Sequence, residues 1–425
     1  MIVHCHPVAR TLPEFTEDAL PVLLYGQTDR TECASAGAAL VNRIRRNGVV
    51  PPARVWDLLS IALSVTAADA QVTRGTSPDG WTRQLDLVVG VQDPDFWDSQ
   101  ATLLASMLRF LTTDIWTFQF VLGHYRAKRP RKRRVYPEEA VSLLSGGMDS
   151  LIGALDIAQH GAKPLVVSQT VRGDGEKQIE FARDIGGGLT HLQLNHNADG
   201  PWESERSQRA RSFIFLTYGV IGACSLRAFR TGQVIPLYVC ENGLIALNPP
   251  MTELRTGSRS TRTTHPRYLG DFQRLLENAG LSIQIENPYS FKTKGEMLQE
   301  CGNQAYLQTH AHRSTSCGRF GRYGMKHCGR CFPCIIRRAA FRAWGRPDQT
   351  EYVFENLGVP DSDHAGFDDV RAAAIGVARL ESEGAAELLG TTLLCDAVQD
   401  PVPYREVTDR GIREVGQFLS GMNVR

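Results

Sequence analysis

Two patterns of apolar positions follow one another along the chain. Up to about residue 124, short runs such as PVLLYG (21–26) and LDLVVGV (85–91) read as strands, and the apolar stretches at 55–68 and 97–112 read as helices. IWTFQFVLG (115–123) reads as a buried strand. Beyond residue 136, strands and helices alternate. AVSLLS (140–145), KPLVVSQ (163–169), THLQLNH (190–196), IPLYVCENG (235–243) and LSIQIENP (281–288) predict strands. Between them the periodicity predicts helices at 149–159, 176–185, 205–229 and 266–279. Strands separated by helices of ten or more residues imply α/β architecture, a parallel sheet covered by helices on both faces. The tail from about residue 344 to 425, with VRAAAIGVARL and AAELLGTTLL, predicts helices used for packing or interface.

Between the two patterns lies YRAKRPRKRR (125–134), with seven basic side chains and no apolar face. Such a run cannot enter a core and marks a boundary. The expected organisation is an N-terminal α+β domain (1–124), a basic linker (125–135), a central domain (136–343) and a helical extension (344–425). The linker reads first as a wet connector; a local contact with nucleic acid or an acidic partner is the alternative, and no specific nucleic-acid motif accompanies it.

Composition adds bounds. At 425 residues the chain exceeds one ordinary core, and 42% hydrophobic with 22% charged residues fits a folded globular protein. A net charge of +1 gives no global field for nucleic acid or an anionic membrane. No apolar stretch nears the roughly 20 residues that span a bilayer, so a cytoplasmic protein is expected. Four of the ten cysteines fall within one short segment, which argues for metal rather than disulfides.

Two segments carry chemistry. SGGMDS, residues Ser145, Gly146, Gly147, Met148, Asp149 and Ser150, follows a strand and opens a helix. Paired glycines let successive amides converge on one anion, and the helix N-terminus adds partial positive charge. Ser145 and Ser150 can donate to phosphate oxygens, and Asp149 can cap the helix or help hold a magnesium ion on a nucleotide. The pattern is neither the P-loop G-x-x-x-x-G-K-[ST] nor a dinucleotide G-x-G-x-x-G. It resembles the PP-loop of ATP pyrophosphatases, which implies binding of ATP and cleavage between its α and β phosphates.

The second segment, CGRFGRYGMKHCGRCFPC, spaces Cys317, Cys328, Cys331 and Cys334 as C-x10-C-x2-C-x2-C. Four thiolates at this spacing can close a tetrahedron around Zn2+, a filled structural site. Arg337 and Arg338 stand where they can soften its charge. An iron-sulfur cluster and metal-free thiols are the alternatives, and His327 is a lesser ligand candidate.

Together the two segments resemble the QueC family, 7-cyano-7-deazaguanine synthases of the adenine nucleotide alpha hydrolase-like fold, over about residues 138–343. QRARSFIFL (208–216) is similar to the family's R-N-x-x-F-L helix start and places Arg211 near the nucleotide. TKGEM (293–297) is similar to its T-K-x-E segment and places Lys294 near the transferred phosphates. Where the family carries a Y-P-D-C-R type loop, this chain has ENGLIALNPP (241–250) and GSRSTRTTHP (257–266). A chain of this length with these additions looks like the QueC-like components of bacterial anti-phage defence systems, which implies partner proteins from one operon.

The resemblance implies ATP, Mg2+ and Zn2+ as cofactors, and a ligase that adenylates a 7-carboxy-7-deazaguanine-like carboxylate before an amine displaces AMP. Catalytic roles fall to Asp149, Ser150, Lys294 and Arg211. Glu241, Asn242 and Asn248 are candidates for reading a purine-like edge, with turn formation as the alternative. Arg259, Arg262 and His265 are candidates to contact phosphate or an acidic substrate, with a solvated loop as the alternative. Asn195 and His196 end a strand beside the expected cleft. The rival functions are a scaffold that binds nucleotide or deazaguanine without turnover, and sulfur transfer through Cys224, Cys240 or Cys301.

Overall fold

The computed structural model describes residues 1–123, 125, 127–159, 161, 163–202, 204–252, 262–358, 369–422 and 424. Its strands are β1 (Ile2–His6), β2 (Ala19–Leu24), β3 (Ala34–Ala36), β4 (Gln84–Val91), β5 (Ile115–Leu122), β6 (Val141–Leu143), β7 (Leu165–Gln169), β8 (His191–Leu194), β9 (Ala198–Asp199), β10 (Ile235–Tyr238) and β11 (Ile283–Glu286). They form a six-stranded sheet, β5-β4-β1-β2-β3-β9, and a five-stranded sheet, β11-β10-β6-β7-β8. Every described pairing is parallel except β3 with β9. A run such as LVVSQ in β7, buried at all five positions, is the pattern of a strand covered on both faces.

The N-terminal part therefore differs from the expected α+β arrangement: it is a parallel α/β layer. Its strands were legible, but pairing direction depends on the crossover helices Ala38–Arg46, Ala53–Gln71 and Pro94–Thr112, which return the chain to the same edge. The expected helix 205–229 begins at Arg211, ends at Cys224 and is followed by a short turn of helix, Arg227–Arg230. Its first six expected residues are instead held by side-chain and backbone contacts to the first layer. The tail forms the helices Asp369–Leu389 and Val402–Ser420. Among the described residues no helix is long and apolar enough to cross a membrane.

The two sheets meet across the helix Ala53–Gln71. Every residue from Val55 to Ala70 in it is buried, because one side packs on the first sheet and the other on Arg211–Cys224. One apolar cluster consequently runs from Val3 and Leu87 to Phe213, Tyr268 and Phe272.

Two carboxylates cross this apolar layer. Asp114, fully buried, accepts from Arg74 Nη1 and Nη2 at 2.8 and 2.9 Å, and from Arg83 Nη2 at 2.6 Å. Asp69 accepts from Arg83 Nη2 at 2.5 Å and from the amides of Arg209 and Ala210 at 2.7 and 2.8 Å. That last pair of bonds fixes the entry into Arg211–Cys224 and so ties the second sheet to the first. Removing one partner of a buried ion pair leaves the other charge uncompensated, at a cost of about 3–5 kcal/mol. Asp114→Ala, which strands the Arg74 guanidinium and leaves Arg83 with Asp69 alone, is expected to lose stability of that order in urea unfolding followed by circular dichroism.

Candidate functional site

The site forms where the strands of the second sheet end. β6 leads through Leu144 into the SGGMDS turn, and the helix Met148–Gln159 begins at once. Gly146 adopts φ +89°, a conformation that favours glycine, with the Asp174 side chain close by. Ser150 Oγ receives the Ser145 amide at 3.2 Å, lies 3.0 Å from Ser145 Oγ and donates to the Gly147 carbonyl at 3.0 Å. The hydroxyls thus brace the turn internally. Met148 is buried in the second apolar cluster, so its side chain serves packing while its backbone belongs to the turn.

Asp149 is 4% exposed and is the meeting point of three segments. Its Oδ1 receives Lys294 Nζ at 2.5 Å; its Oδ2 receives the Asn242 amide at 3.1 Å and Asn242 Nδ2 at 2.7 Å. Lys294, from the end of the segment after β11, is the first residue of the helix Lys294–Glu300, whose start is fixed by a capping box between Thr293 and Glu296. Asn242 follows β10 and caps the helix Gly243–Leu247 by accepting from the Ile245 amide at 3.1 Å. Glu241 lies against the same carboxylate and takes a 3.2 Å bond from Asn242 Nδ2.

The two carboxyl groups titrate apart. Burial alone would raise Asp149; the Lys294 charge outweighs it, with hydrogen bonds from Glu241, Lys294 and Asn242, and holds the group at about 2. Burial, and then the negative charge of Asp149, push Glu241 well above the ordinary carboxylate range. The pair therefore favours one anion and one proton over two anions.

The remaining sequence candidates are placed differently. Asn242 is engaged by Asp149, by Glu241 and by its own helix, so its side-chain amide holds the Asp149 carboxylate. Asn248 ends the helix Gly243–Leu247 at φ +48°, a terminating turn residue. Arg211 opens its helix on the surface; its charge helps, after burial, to lower the pKa of His196, which bonds Tyr218 at 3.0 Å. Arg262 stands over Phe110 of the first layer, 4.7 Å from the ring centroid, and His265 caps the helix Pro266–Asn278. Arg259 lies outside the described residues. Cys224, Cys240 and Cys301 are all buried, and burial pushes each thiol up, the wrong direction for a reactive sulfur.

The four clustered cysteines converge. Their sulfurs lie within 4.8 Å of one another, with Cys317 to Cys331 at 3.8 Å and Cys328 to Cys334 at 4.0 Å. A tetrahedron with metal–sulfur bonds of about 2.3 Å has edges of about 3.8 Å, so the set fits zinc. The Cys328 and Cys331 amides point at sulfurs of Cys317 and Cys328, both at 3.3 Å, as in a knuckle. Of the two arginines expected to soften the sulfur charge, Arg338 interacts with the charge of Cys334, and both are held by neighbouring oxygens. Arg337 is spent on the Ser314 and Ala311 carbonyls and on the Ser314, Ser316 and Thr350 hydroxyls, and Arg338 on the Gly329 and Glu355 carbonyls. Nε2 of His327 accepts the Ser316 amide at 3.2 Å, away from the sulfur set.

Three contributions escaped the sequence reading. Thr315, two residues before Cys317, donates its amide to the Gly146 carbonyl at 2.9 Å, so the cysteine knuckle is tied to the phosphate turn. Lys177 bonds the Thr315 hydroxyl at 2.5 Å, and Gln178 donates to the Ser145 carbonyl at 2.9 Å. Glu414, on the tail helix Val402–Ser420, accepts from the Thr293 hydroxyl and touches Gly295, at the start of the Lys294 helix. The only signal for these was proximity in sequence to a motif; Glu414 gave none.

Two outcomes are expected. Zinc analysis by plasma emission should find about one ion per chain, and chelation or Cys331→Ser should lower both thermal stability and nucleotide affinity, the latter through Thr315. For the carboxyl pair the signs are opposite. Stability from Asp149 is present above its ordinary 3.8 and lost as pH falls through about 2. Glu241 keeps its proton in the fold while the unfolded chain loses it above 4.5, so stability drains as pH rises from there. Glu241→Gln should therefore melt increasingly above wild type as pH climbs from 5 toward 8, read by thermal unfolding at each pH.

Comparison with known proteins follows this geometry. The family described as "Queuosine biosynthesis protein QueC" matches residues 263–345, the segment holding Lys294 and all four clustered cysteines. The chain is 27% identical over 244 residues to a "7-cyano-7-deazaguanine synthase" of Desulfitobacterium hafniense, covering 51% of this chain and 94% of that protein. It is 25% identical over 243 residues to the one of Methanothermobacter thermautotrophicus, 50% of this chain and 98% of the relative. A 90-residue stretch is 35% identical to the one of Rhizobium leguminosarum bv. trifolii, covering 20% of this chain and 36% of that protein. No solved structure matches significantly. The chain thus carries a QueC family domain and is homologous, at modest identity and over half its length, to 7-cyano-7-deazaguanine synthases.

Proposed function

We propose that this protein is an ATP-consuming ligase of QueC-like chemistry. The observation that carries the reading is the Asp149–Lys294 ion pair set directly at the SGGMDS turn. ATP binds with its β and γ phosphates on the turn amides and the helix N-terminus. A substrate carboxylate attacks the α-phosphate, the bond to the bridging oxygen breaks, and pyrophosphate leaves with that electron pair. Lys294 moves from Asp149 to the leaving pyrophosphate, where a compact positive charge stabilises the developing negative charge. An amine then attacks the acyl-adenylate, AMP departs, and the amine proton passes to a carboxylate of the Asp149/Glu241 pair.

The Asp149 and Glu241 oxygens are the natural seat for a magnesium ion bound to ATP, which would neutralise phosphate charge. The cysteine knuckle holds zinc as structure. The substrate is a 7-carboxy-7-deazaguanine-like carboxylate, and the acceptor is ammonia or a protein amine. On its long additions the chain is most like QatC, the QueC-like protein of the bacterial Qat anti-phage system. On this reading it is a bacterial cytoplasmic protein that acts with partner proteins of one operon, and its parts are 1–124, 125–135, 136–343 and 344–425.

The test is pyrophosphate and AMP release by the zinc-loaded protein given ATP, magnesium and 7-carboxy-7-deazaguanine, with and without ammonia. Release is expected to require the deazaguanine, and Lys294→Ala and Asp149→Ala should each lower it by about 10²–10³-fold. Product mass then separates a nitrile or amide from a protein adduct. ATP binding without release would favour the alternative, a scaffold that holds nucleotide for a defence complex.

A further inference from the structure

The buried charge network of the first layer leaves one cation over. Arg74 and Arg83 are matched by Asp114 and Asp69. Arg209 is as deeply buried, at 2% exposed, and makes no ion pair with any described residue. Its Nη1 lies 3.5 Å from the Thr112 carbonyl and from the Thr113 hydroxyl, at the end of the helix Pro94–Thr112. Its guanidinium carbon stands 4.6 Å from the centre of the Trp81 ring. Its Nε and Nη2 have no partner.

Those two nitrogens form one side of the guanidinium, with their N–H bonds parallel, the side that grips two oxygens of a carboxylate or phosphate. Arg83 uses that same side in the same network: Nε to Asp114 Oδ1 at 3.2 Å and Nη2 to Asp114 Oδ2 at 2.6 Å. Arg209 presents the identical fork with no carboxylate supplied by any described residue. Capping of the helix Pro94–Thr112 accounts for Nη1 only. Bare charged donors shielded from water are unfavourable unless an anion completes them.

A second cation stands close. Half-buried Arg262 also makes no ion pair with a described residue, and its stacking partner Phe110 lies in the last turn of the same helix. Burial first, then the charges of Arg74 and Arg262, bring the Arg209 pKa down to about 10, partly countered by Asp114 and Asp69. The buried Thr264 hydroxyl and His265 Nε2, next along the chain from Arg262, have no partner either. Arg209 precedes the helix Arg211–Cys224, which leads back to the start of β10, and Arg262 precedes Pro266–Asn278, which leads back to the start of β11. Both therefore lie toward the carboxyl edge of the second sheet, where ligands of parallel sheets bind.

We propose that the free side of Arg209, supported by Arg262, is a docking site for the carboxylate or phosphate group of a small-molecule ligand, at the seam between the two layers. It is separate from the phosphate turn and does not require adenylation chemistry.

The test is thermal unfolding of the full-length, zinc-loaded protein in rising inorganic phosphate or acetate, against chloride of equal ionic strength. The wild-type midpoint is expected to rise in at least one of the two oxyanions, which also tells phosphate from carboxylate preference. The SGGMDS turn is intact in the Arg209 variants, so loss of the rise in them excludes that turn as its source. Arg209→Met should abolish the rise, and in chloride should melt at or above wild type, because an unmatched buried charge has gone. Arg209→Lys, which keeps charge but not the fork, should need about tenfold more anion or beyond. No rise in either anion, a rise that survives Arg209→Met, or a lower midpoint of Arg209→Met in chloride would each overturn the proposal. Those outcomes would make Arg209 a water-satisfied or structural residue, and none depends on whether the protein turns over ATP.

Discussion

The carboxylate of Asp149 is the constraint around which the second half of the molecule is arranged. A buried carboxylate is tolerable only if donors replace the water it gives up, and two other segments supply them: the backbone and side chain of Asn242, and Lys294. Each donor fixes a different stretch of chain. The β6 turn, the loop after β10 and the segment after β11 are thereby drawn to one point. Burial, and then the negative charge of Asp149, push the pKa of Glu241 well up, since two adjacent buried carboxyls cannot both ionise cheaply.

Support for this point comes from three directions. The cysteine knuckle reaches it through Thr315 on Gly146, so any metal held there acts on the turn's position without touching the reaction. The tail reaches it through Gly411 packed on Leu244 and Glu414 at the start of the Lys294 helix. Burial raises Glu414 to about 7, with the Thr293 hydroxyl opposing, so this bracket itself sits near a protonation boundary. The first layer reaches the second sheet through Asp69, whose carboxylate caps the entry to Arg211–Cys224. Each of these supports limits where Asp149, Glu241 and Lys294 can stand.

Most elements were legible because their signals are local. Alternation and apolar runs located β2, β4, β5, β6, β7, β8, β10 and β11 within a few residues, and the helices between them. Spacing alone gathered Cys317, Cys328, Cys331 and Cys334, since C-x2-C segments can only turn tightly. The losses have local causes too. The helix expected from Glu205 starts at Arg211 because the Glu205 carboxylate is taken by the amides of Arg74 and Ser207, a contact 131 residues away in the first case. β9, two residues long, carries no periodicity at all; it exists only because β3 offers an edge.

By itself the sequence determined the alternating strand and helix order, the phosphate-type turn and the sulfur set, because each depends on residues close together in the chain. Only the tertiary structure decided that the N-terminal strands run parallel, that Asn242 bonds Asp149, and that Glu414 meets Thr293. It alone left the Arg209 fork unmatched by any described residue. These outcomes rest on which distant groups satisfy a buried charge or hydrogen-bond donor. That is a property of the packed whole, since water satisfies all of them equally while the chain is unfolded.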